Sequence, residues 1–315
     1  MNRLTQPFLG RASVLLLLGA AFVFLPFCRA DDNDAPGYDV KEIPNIVYKS
    51  VDGQDICLNL FLPTKNGEPV EKCPTLLYID SGCWYSGAPG NGGVWTLVDP
   101  VPQGYAVASI SHRSLETVRF PSQIEDVRAA VRFLRAHADE YGLDKDRFAT
   151  SGASSGGHLS LCLGIPDSIC PFDVGENLDQ SGQVQVVIDF FGPTDFVAGH
   201  WLKSVPECIY HAIQIDPEGI PTYPQKLSEE EWNRAVKFSP AFYVCPEFSP
   251  TLIFHGTDDS VVPLSQSASL YDELRNAGVP SRFCVTNNGV HDIKSLGNPK
   301  ELMEKAMEFL KECGF

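Results

Sequence analysis

Positive charge is scarce in this chain. It carries 24 lysines and arginines against 40 aspartates and glutamates, a formal net charge of −16 over 315 residues. Nucleic acids and anionic membrane surfaces are held through basic patches, so this balance excludes both as expected partners. Zinc-type groupings are missing as well: none of the ten cysteines forms a C-x-x-C pair, and the seven histidines are scattered. No metal is expected, and no other cofactor. Nor does any linker, repeat or low-complexity tract divide the chain, which predicts one large domain over residues 31–315.

Long apolar runs are absent too, with one short exception at the start. Arg3 and Arg11 precede an apolar run from about Val14 to Phe27, and Cys28-Arg29-Ala30 ends in a small residue before Asp31-Asp32. The run is short for a membrane span and has the layout of a secretory signal peptide over residues 1–30. The expectation is a secreted or periplasmic protein, with an uncleaved N-terminal membrane anchor as the alternative. Cys28 does not read as a lipidated residue, because Pro26-Phe27 lack the small side chains of a lipoprotein signal. Nine cysteines remain beyond the leader, an odd number, and Cys162 with Cys170 and Cys208 with Cys245 are close enough in sequence to bridge in an oxidising compartment.

What is present centres on Gly152-Ala153-Ser154-Ser155-Gly156-Gly157, which follows the apolar run Phe148 to Thr150 and leads into Leu159 to Leu163. This is the G-x-S-x-G pattern of a nucleophile elbow, a sharp turn between strand and helix that exposes the central serine, here Ser154. A serine nucleophile needs a base and an acid that orients the base, in the chain order serine, acid, histidine. Of the histidines only His291 lies beyond the acidic loop near residue 259, and it follows the predicted strand Phe283 to Thr286. The acid is expected from His255-Gly256-Thr257-Asp258-Asp259, after the apolar strand Thr251 to Phe254. Asp259 is favoured, then Asp258, then Asp195 in Gly192-Pro193-Thr194-Asp195 after the strand Val186 to Phe190. His255 is expected to pack under the loop.

An oxyanion hole needs two backbone N–H groups, one from the residue after the nucleophile and one from the loop after the third strand. Ser155 supplies the first, and Gly82 or Cys83 in Asp80-Ser81-Gly82-Cys83-Trp84 the second, followed by a glycine-rich stretch from Gly87 to Gly93.

These motifs, with Arg119-Phe120-Pro121 and the helix that follows it, resemble the α/β-hydrolase esterases, most of all the bacterial bifunctional feruloyl and acetyl esterases and their carboxylesterase and hormone-sensitive-lipase-like relatives. The resemblance runs from about Val47 to the C-terminus. It implies Ser154 and Asp259 as triad members and acetyl or feruloyl esters of plant or algal polysaccharides as substrates. One departure stands out: the relatives' His-Gly-Gly-Gly-Trp is here Asp80-Ser81-Gly82-Cys83-Trp84. Asp80 would oppose an oxyanion unless its carboxylate were turned away and hydrogen-bonded.

Around the motifs, strands and helices alternate, which predicts a mainly parallel sheet covered on both faces. Ile43 to Tyr48 and Ile56 to Leu62 read as an opening hairpin across Asp52-Gly53, and Leu76 to Ile79 and Ala106 to Ile110 as strands. Ser122 to Glu125 has the spacing of a capping box for a helix reaching about Tyr141, and a last helix covers Lys300 to Glu312. The irregular stretch 196–239 reads as a small cap, or lid, over the substrate pocket. Two alternatives stay open: a serine exopeptidase or amidase, which would use the same triad, and a non-catalytic binding protein on the same fold.

Overall fold

The computed structural model describes residues 37–85, 99–198, 207–214 and 227–315. The predicted leader and the stretch Gly87 to Gly93 lie outside the described residues, as does part of the 196–239 insertion. The chain opens with β1 (Asp39–Val51) and β2 (Gln54–Lys65), paired antiparallel across Asp52-Gly53 as the sequence predicts. A two-residue strand, β3 (Glu68–Pro69), adds to β2. The chain then forms β4 (Cys73–Ile79), β5 (Ala106–Ile110), β6 (Leu143–Ala153), whose charged start at 144–147 precedes the apolar run from Phe148, β7 (Val186–Phe190), β8 (Thr251–Gly256) and the half-buried β9 (Ser281–Thr286). The sheet order is β1-β2-β5-β4-β6-β7-β8-β9, and every pairing from β5 to β9 is parallel.

Buried side chains alternate between the sheet's two sides. Along β4, Leu77 and Ile79 enter one core layer while Leu76 and Tyr78 enter the other. Helices α1 (Ser122–Ala136), α2 (Ala138–Tyr141), α3 (Ser155–Leu163) and α6 (Leu264–Asn276) contribute to the first layer, and α7 (Pro299–Glu312) closes the second with Leu302, Met307 and Leu310. Both faces are therefore covered, and β5, β7 and β8 are buried along their whole length, without an exposed alternate side.

Two local expectations fail. The helix predicted to run to Tyr141 breaks at His137, whose ring nitrogen bonds the Phe133 carbonyl at 2.8 Å. The Ser122–Glu125 capping box does not form, because Pro121 takes the N-cap position and Ser122 becomes the first helical residue. A capping box forms instead at Ser228 and Glu231, opening α5 (Glu229–Phe238). Within the insertion, α4 (Glu207–Ile213) and α5 are joined by Arg234, which donates to the Ile213 carbonyl that ends α4 and to the Gln214 carbonyl just beyond it, at 3.1 and 3.0 Å.

Candidate active site

Ser154 sits between the end of β6 and the start of α3 at φ 54° and ψ −119°, a backbone state that costs energy for any residue with a Cβ. It is pinned from both sides. Its N–H donates to the Phe190 carbonyl at 2.9 Å, and its carbonyl accepts from His158 N–H at 3.0 Å. Around it the chains approach too closely for side chains: a Cβ on Gly152 would lie 2.4 Å from the Gly156 backbone, and one on Gly156 would lie 2.2 Å from the Ile79 carbonyl oxygen. The two glycines thus let β4, β6 and α3 close up, and the serine is left standing out of the turn.

Facing it is His291, delivered by the loop after β9. Its Nε2 is 2.9 Å from Ser154 Oγ and its Nδ1 is 2.7 Å from Asp259 Oδ2. A carboxylate can only accept, so Nδ1 carries the proton and Nε2 is left with a lone pair aimed at the serine hydroxyl. The Phe191 ring packs 4.5 Å from the imidazole and limits its rotation.

Asp259 is buried. Burial opposes its ionisation, but hydrogen bonds from His255 and His291 and from the Val262 N–H outweigh it and hold the carboxyl well below the usual range. Val261 and Val262 N–H donate to Oδ1 at 2.8 and 2.9 Å, and His255 Nε2 lies 3.3 Å from Oδ2. His255 also donates from Nε2 to the Val262 carbonyl at 2.9 Å and receives Ser267 Oγ at Nδ1. It does pack under the loop, and it also fixes the carboxylate, which the sequence reading did not foresee. Neither rival acid reaches the imidazole. Asp258 is exposed and accepts from Thr257 Oγ1, and Asp195 accepts from the Val197 N–H.

Gly82, Cys83 and Trp84 follow β4 with φ of 120°, 55° and 59°, and Tyr85 N–H closes the turn onto the Gly82 carbonyl at 3.0 Å. Gly82, Cys83, Ser154 and His291 line one cavity of about 310 Å³, together with apolar Phe191, Val261 and Ile293. Ser155 begins α3, where its N–H has no partner within the helix. Its own hydroxyl is buried and bonds none of the described residues, while the imidazole is engaged by Ser154. Asp80 does not line this cavity; its Oδ1 accepts from Ser81 N–H at 2.8 Å, and Tyr78 also hydrogen-bonds the carboxylate.

Beneath the loop, Trp84 is buried among Phe120, His158 and Phe196, with its Nε1 3.3 Å from His158 Nδ1. His158 Nε2 donates to Phe238 O of α5 at 2.8 Å, and burial pushes its pKa down to about 4, so the ring is a neutral bridge from elbow helix to insertion. Trp84 and His158 are the site-supporting residues that motif reading missed. Their signal, an aromatic and a histidine 74 residues apart, exists only in three dimensions.

The described cysteines are all free thiols, so neither expected bridge is formed. Cys208 does not turn to Cys245 for a partner; it hydrogen-bonds Cys83. Among the described residues no group of three or more His, Cys, Asp or Glu could hold a metal ion.

A mainly parallel sheet with a strained serine between strand and helix, and a histidine and an aspartate on later strand ends, defines the α/β-hydrolase class. Within it, this chain belongs to the BD-FAE family, whose model matches residues 58–274. Among curated proteins it is similar to Esterase LipC of Mycobacterium tuberculosis, with 28% identity over 213 residues, 66% of this chain and 49% of that protein. It is similar also to the probable carboxylic ester hydrolase LipM of the same organism, with 28% identity over 204 residues, 64% of this chain and 45% of that protein. The chain spans about half the length of these relatives. Among solved structures it resembles the truncated form of a carbohydrate esterase from gut microbiota, with 26% identity, TM-score 0.68, and 88% and 97% of the two chains covered. Esterase Est2 of Thermogutta terrifontis, at 22% identity, TM-score 0.67 and 89% and 94% coverage, shares the fold.

Proposed function

We propose that the protein is an exported serine carboxylic-ester hydrolase, acting without a cofactor on acetyl or feruloyl esters of polysaccharides. The observation that carries this reading is the continuous relay Asp259 Oδ2, His291 Nδ1, His291 Nε2, Ser154 Oγ, with links of 2.7 and 2.9 Å beside a cavity. As Ser154 Oγ attacks the ester carbonyl, its proton passes to His291 Nε2, and Asp259 stabilises the imidazolium through Nδ1–H. The N–H groups of Ser155 and of Gly82 or Cys83 hold the oxyanion, each such donor being worth about 10²–10³ in rate. His291 then protonates the leaving alcohol. Water activated by the same nitrogen releases the acid from Ser154.

The ester class is supported by the family and by curated relatives named as esterases. The polysaccharide assignment rests on the resemblance and on a structural relative described as a carbohydrate esterase. Helices α4 and α5 are assigned to a lid over the pocket, supported by the Tyr85–His211 hydrogen bond of 2.6 Å between the oxyanion loop and α4. Export rests on the leader sequence.

The test is hydrolysis of p-nitrophenyl acetate, methyl ferulate and an acetylated polysaccharide by the purified protein, beside Ser154→Ala and Ser155→Ala. Turnover falls by at least about 10⁴-fold in the first variant and stays within an order of magnitude in the second. Activity retained by Ser154→Ala, or no turnover by a well-folded wild type, refutes the reading and favours the amide-cleaving or non-catalytic alternatives. Export is checked on protein recovered outside the cytoplasm: the chain begins at Asp31 if the leader is cleaved, and at Met1 if it is retained as an anchor.

A further inference from the structure

Cys83 occupies two settings at once. It is half-buried on the wall of the cavity that holds Ser154 and His291, and its sulfur accepts a hydrogen bond from the thiol of Cys208, a buried residue of α4. One turn further along α4, His211 Nδ1 meets Tyr85 Oη at 2.6 Å, with the rings edge-on at 6.3 Å. Residues three apart share a helix face, so Cys208 and His211 present the same side of α4 to the loop. Residues 83 and 85 therefore meet 208 and 211 in two adjacent contacts.

We propose that Cys83 and Cys208 are a redox pair whose disulfide ties the loop carrying the oxyanion donors to the α4 helix of the insertion. The functional part of this proposal rests on the esterase reading above. The electron acceptor is a small-molecule disulfide, R–S–S–R, of the glutathione class. The Cys83 thiolate attacks one of its sulfurs, forming a mixed disulfide and releasing RS⁻. Cys208 gives up its proton, and its sulfur then attacks Cys83 Sγ and expels the second RS⁻. One disulfide bond is broken and one formed, two electrons pass to R–S–S–R, and two thiol equivalents leave.

The setting favours Cys83 as the attacking group. The hydrogen bond from Cys208 outweighs burial and lowers Cys83 to about 7, while the same contact and burial push Cys208 up. Exchange is fastest for a thiol whose pKa is near the ambient pH. Closing the bridge also fixes the loop that carries Gly82 and Cys83, so that its N–H groups meet the substrate carbonyl without reorganising. The bridged form is therefore the faster esterase, and it is the form expected after export.

The test equilibrates the purified full chain with oxidised or reduced glutathione, blocks free thiols, and digests it without reduction. A linked peptide pair containing Cys83 and Cys208 is expected from the oxidised sample, from Cys245→Ser as from wild type, and not from Cys208→Ser. The oxidised protein melts several degrees higher and hydrolyses p-nitrophenyl acetate several-fold faster than the reduced one, differences absent from Cys208→Ser. Cys208 linked to another cysteine, or both thiols still free in excess oxidised glutathione, overturns the pairing. Wild-type peptide mapping alone decides this if a variant fails to fold. A 83–208 link with unchanged melting and turnover overturns the tether. A protein that forms the link but hydrolyses no ester in either state refutes the esterase reading and leaves the pair intact.

Discussion

At the scale of single residues, two buried aspartates near the elbow titrate in opposite directions. Asp259 is held ionised because donated hydrogen bonds outweigh its burial. Its stabilising share is present above the unfolded carboxyl pKa of about 3.9 and is lost as pH falls through the lower folded value. Asp189, on β7 beside Gly152, has one acceptor bond, from Gly192 N–H at 3.0 Å, and its Oδ2 bonds none of the described residues. Burial pushes it up to about 7 against the pull of His255 and the Gly192 N–H. A folded pKa above the unfolded one means that the native state holds the proton more tightly, so this contribution is intact below about pH 4 and is lost as pH rises through about 7. Asp189→Asn keeps the shape and removes the charge. Its melting temperature relative to wild type is expected to rise by several degrees between pH 4 and pH 8, within a ceiling of about 4 kcal/mol at 1.36 kcal/mol per pKa unit. Any misfit of the amide is the same at both pH values, so thermal melts that show a pH-independent difference would refute the charge account.

At the scale of elements, the loops carrying Asp259 and His291 are tied into one piece. Thr257 N–H donates to Thr286 O at 3.0 Å, Asp258 N–H to Gly289 O at 2.8 Å, and Asn288 N–H to Thr257 Oγ1 at 2.8 Å. Gly256, closing β8, lets them meet: a Cβ there would stand 2.1 Å from the Gly289 carbonyl oxygen. Gly256→Ala must push the loops apart, moving His291 relative to Ser154. Its kcat is expected to fall about 100-fold with KM less affected, since a misplacement near 1 Å costs that much. Steady-state kinetics on a variant with wild-type circular dichroism checks this, and a kcat within twofold of wild type would refute it. Much of this architecture was legible in the chain, because most strands from β4 to β9 carry a short apolar run ahead of turn residues and because the order of serine, acid and histidine admits few candidates. Within the strand-rich half the reading worked where the signal was local. It is silent where distant partners decide: beside its apolar residues α1 buries Asp126, Arg128 and Arg132, which no local pattern singles out. Asp126 is met by Arg113 at 2.8 Å and Lys49 at 2.6 Å, and Arg128 by Asp167 at 2.6 Å and Asp173 at 2.7 Å. The same holds for Cys208, whose partner is 125 positions away rather than at the nearer Cys245.

At the scale of the whole molecule, the charge of −16 predicts which esters the proposed hydrolase would favour. A surface so unbalanced repels anions over roughly a Debye length, about 10 Å at 0.1 M salt and about 30 Å at 0.01 M. The cavity reinforces the effect, since Asp292 is on its wall and none of its described lining residues is a lysine or arginine. Acetyl and feruloyl esters of neutral sugars are indifferent to this field. An ester whose acyl chain ends in a carboxylate is not. The comparison is between p-nitrophenyl acetate and the p-nitrophenyl monoester of succinic acid as sodium chloride is raised from about 0.01 to 0.15 M, a range over which the screening length falls from about 30 to 8 Å. For the neutral ester kcat/KM is expected to stay constant, while for the anionic one it rises several-fold, through KM, as screening lets the anion approach. Equal salt responses would mean that the field at the cavity mouth is not that of the molecule as a whole. A fall for the anionic ester alone would point to a local cation recruiting acidic substrates and would refute the charge account.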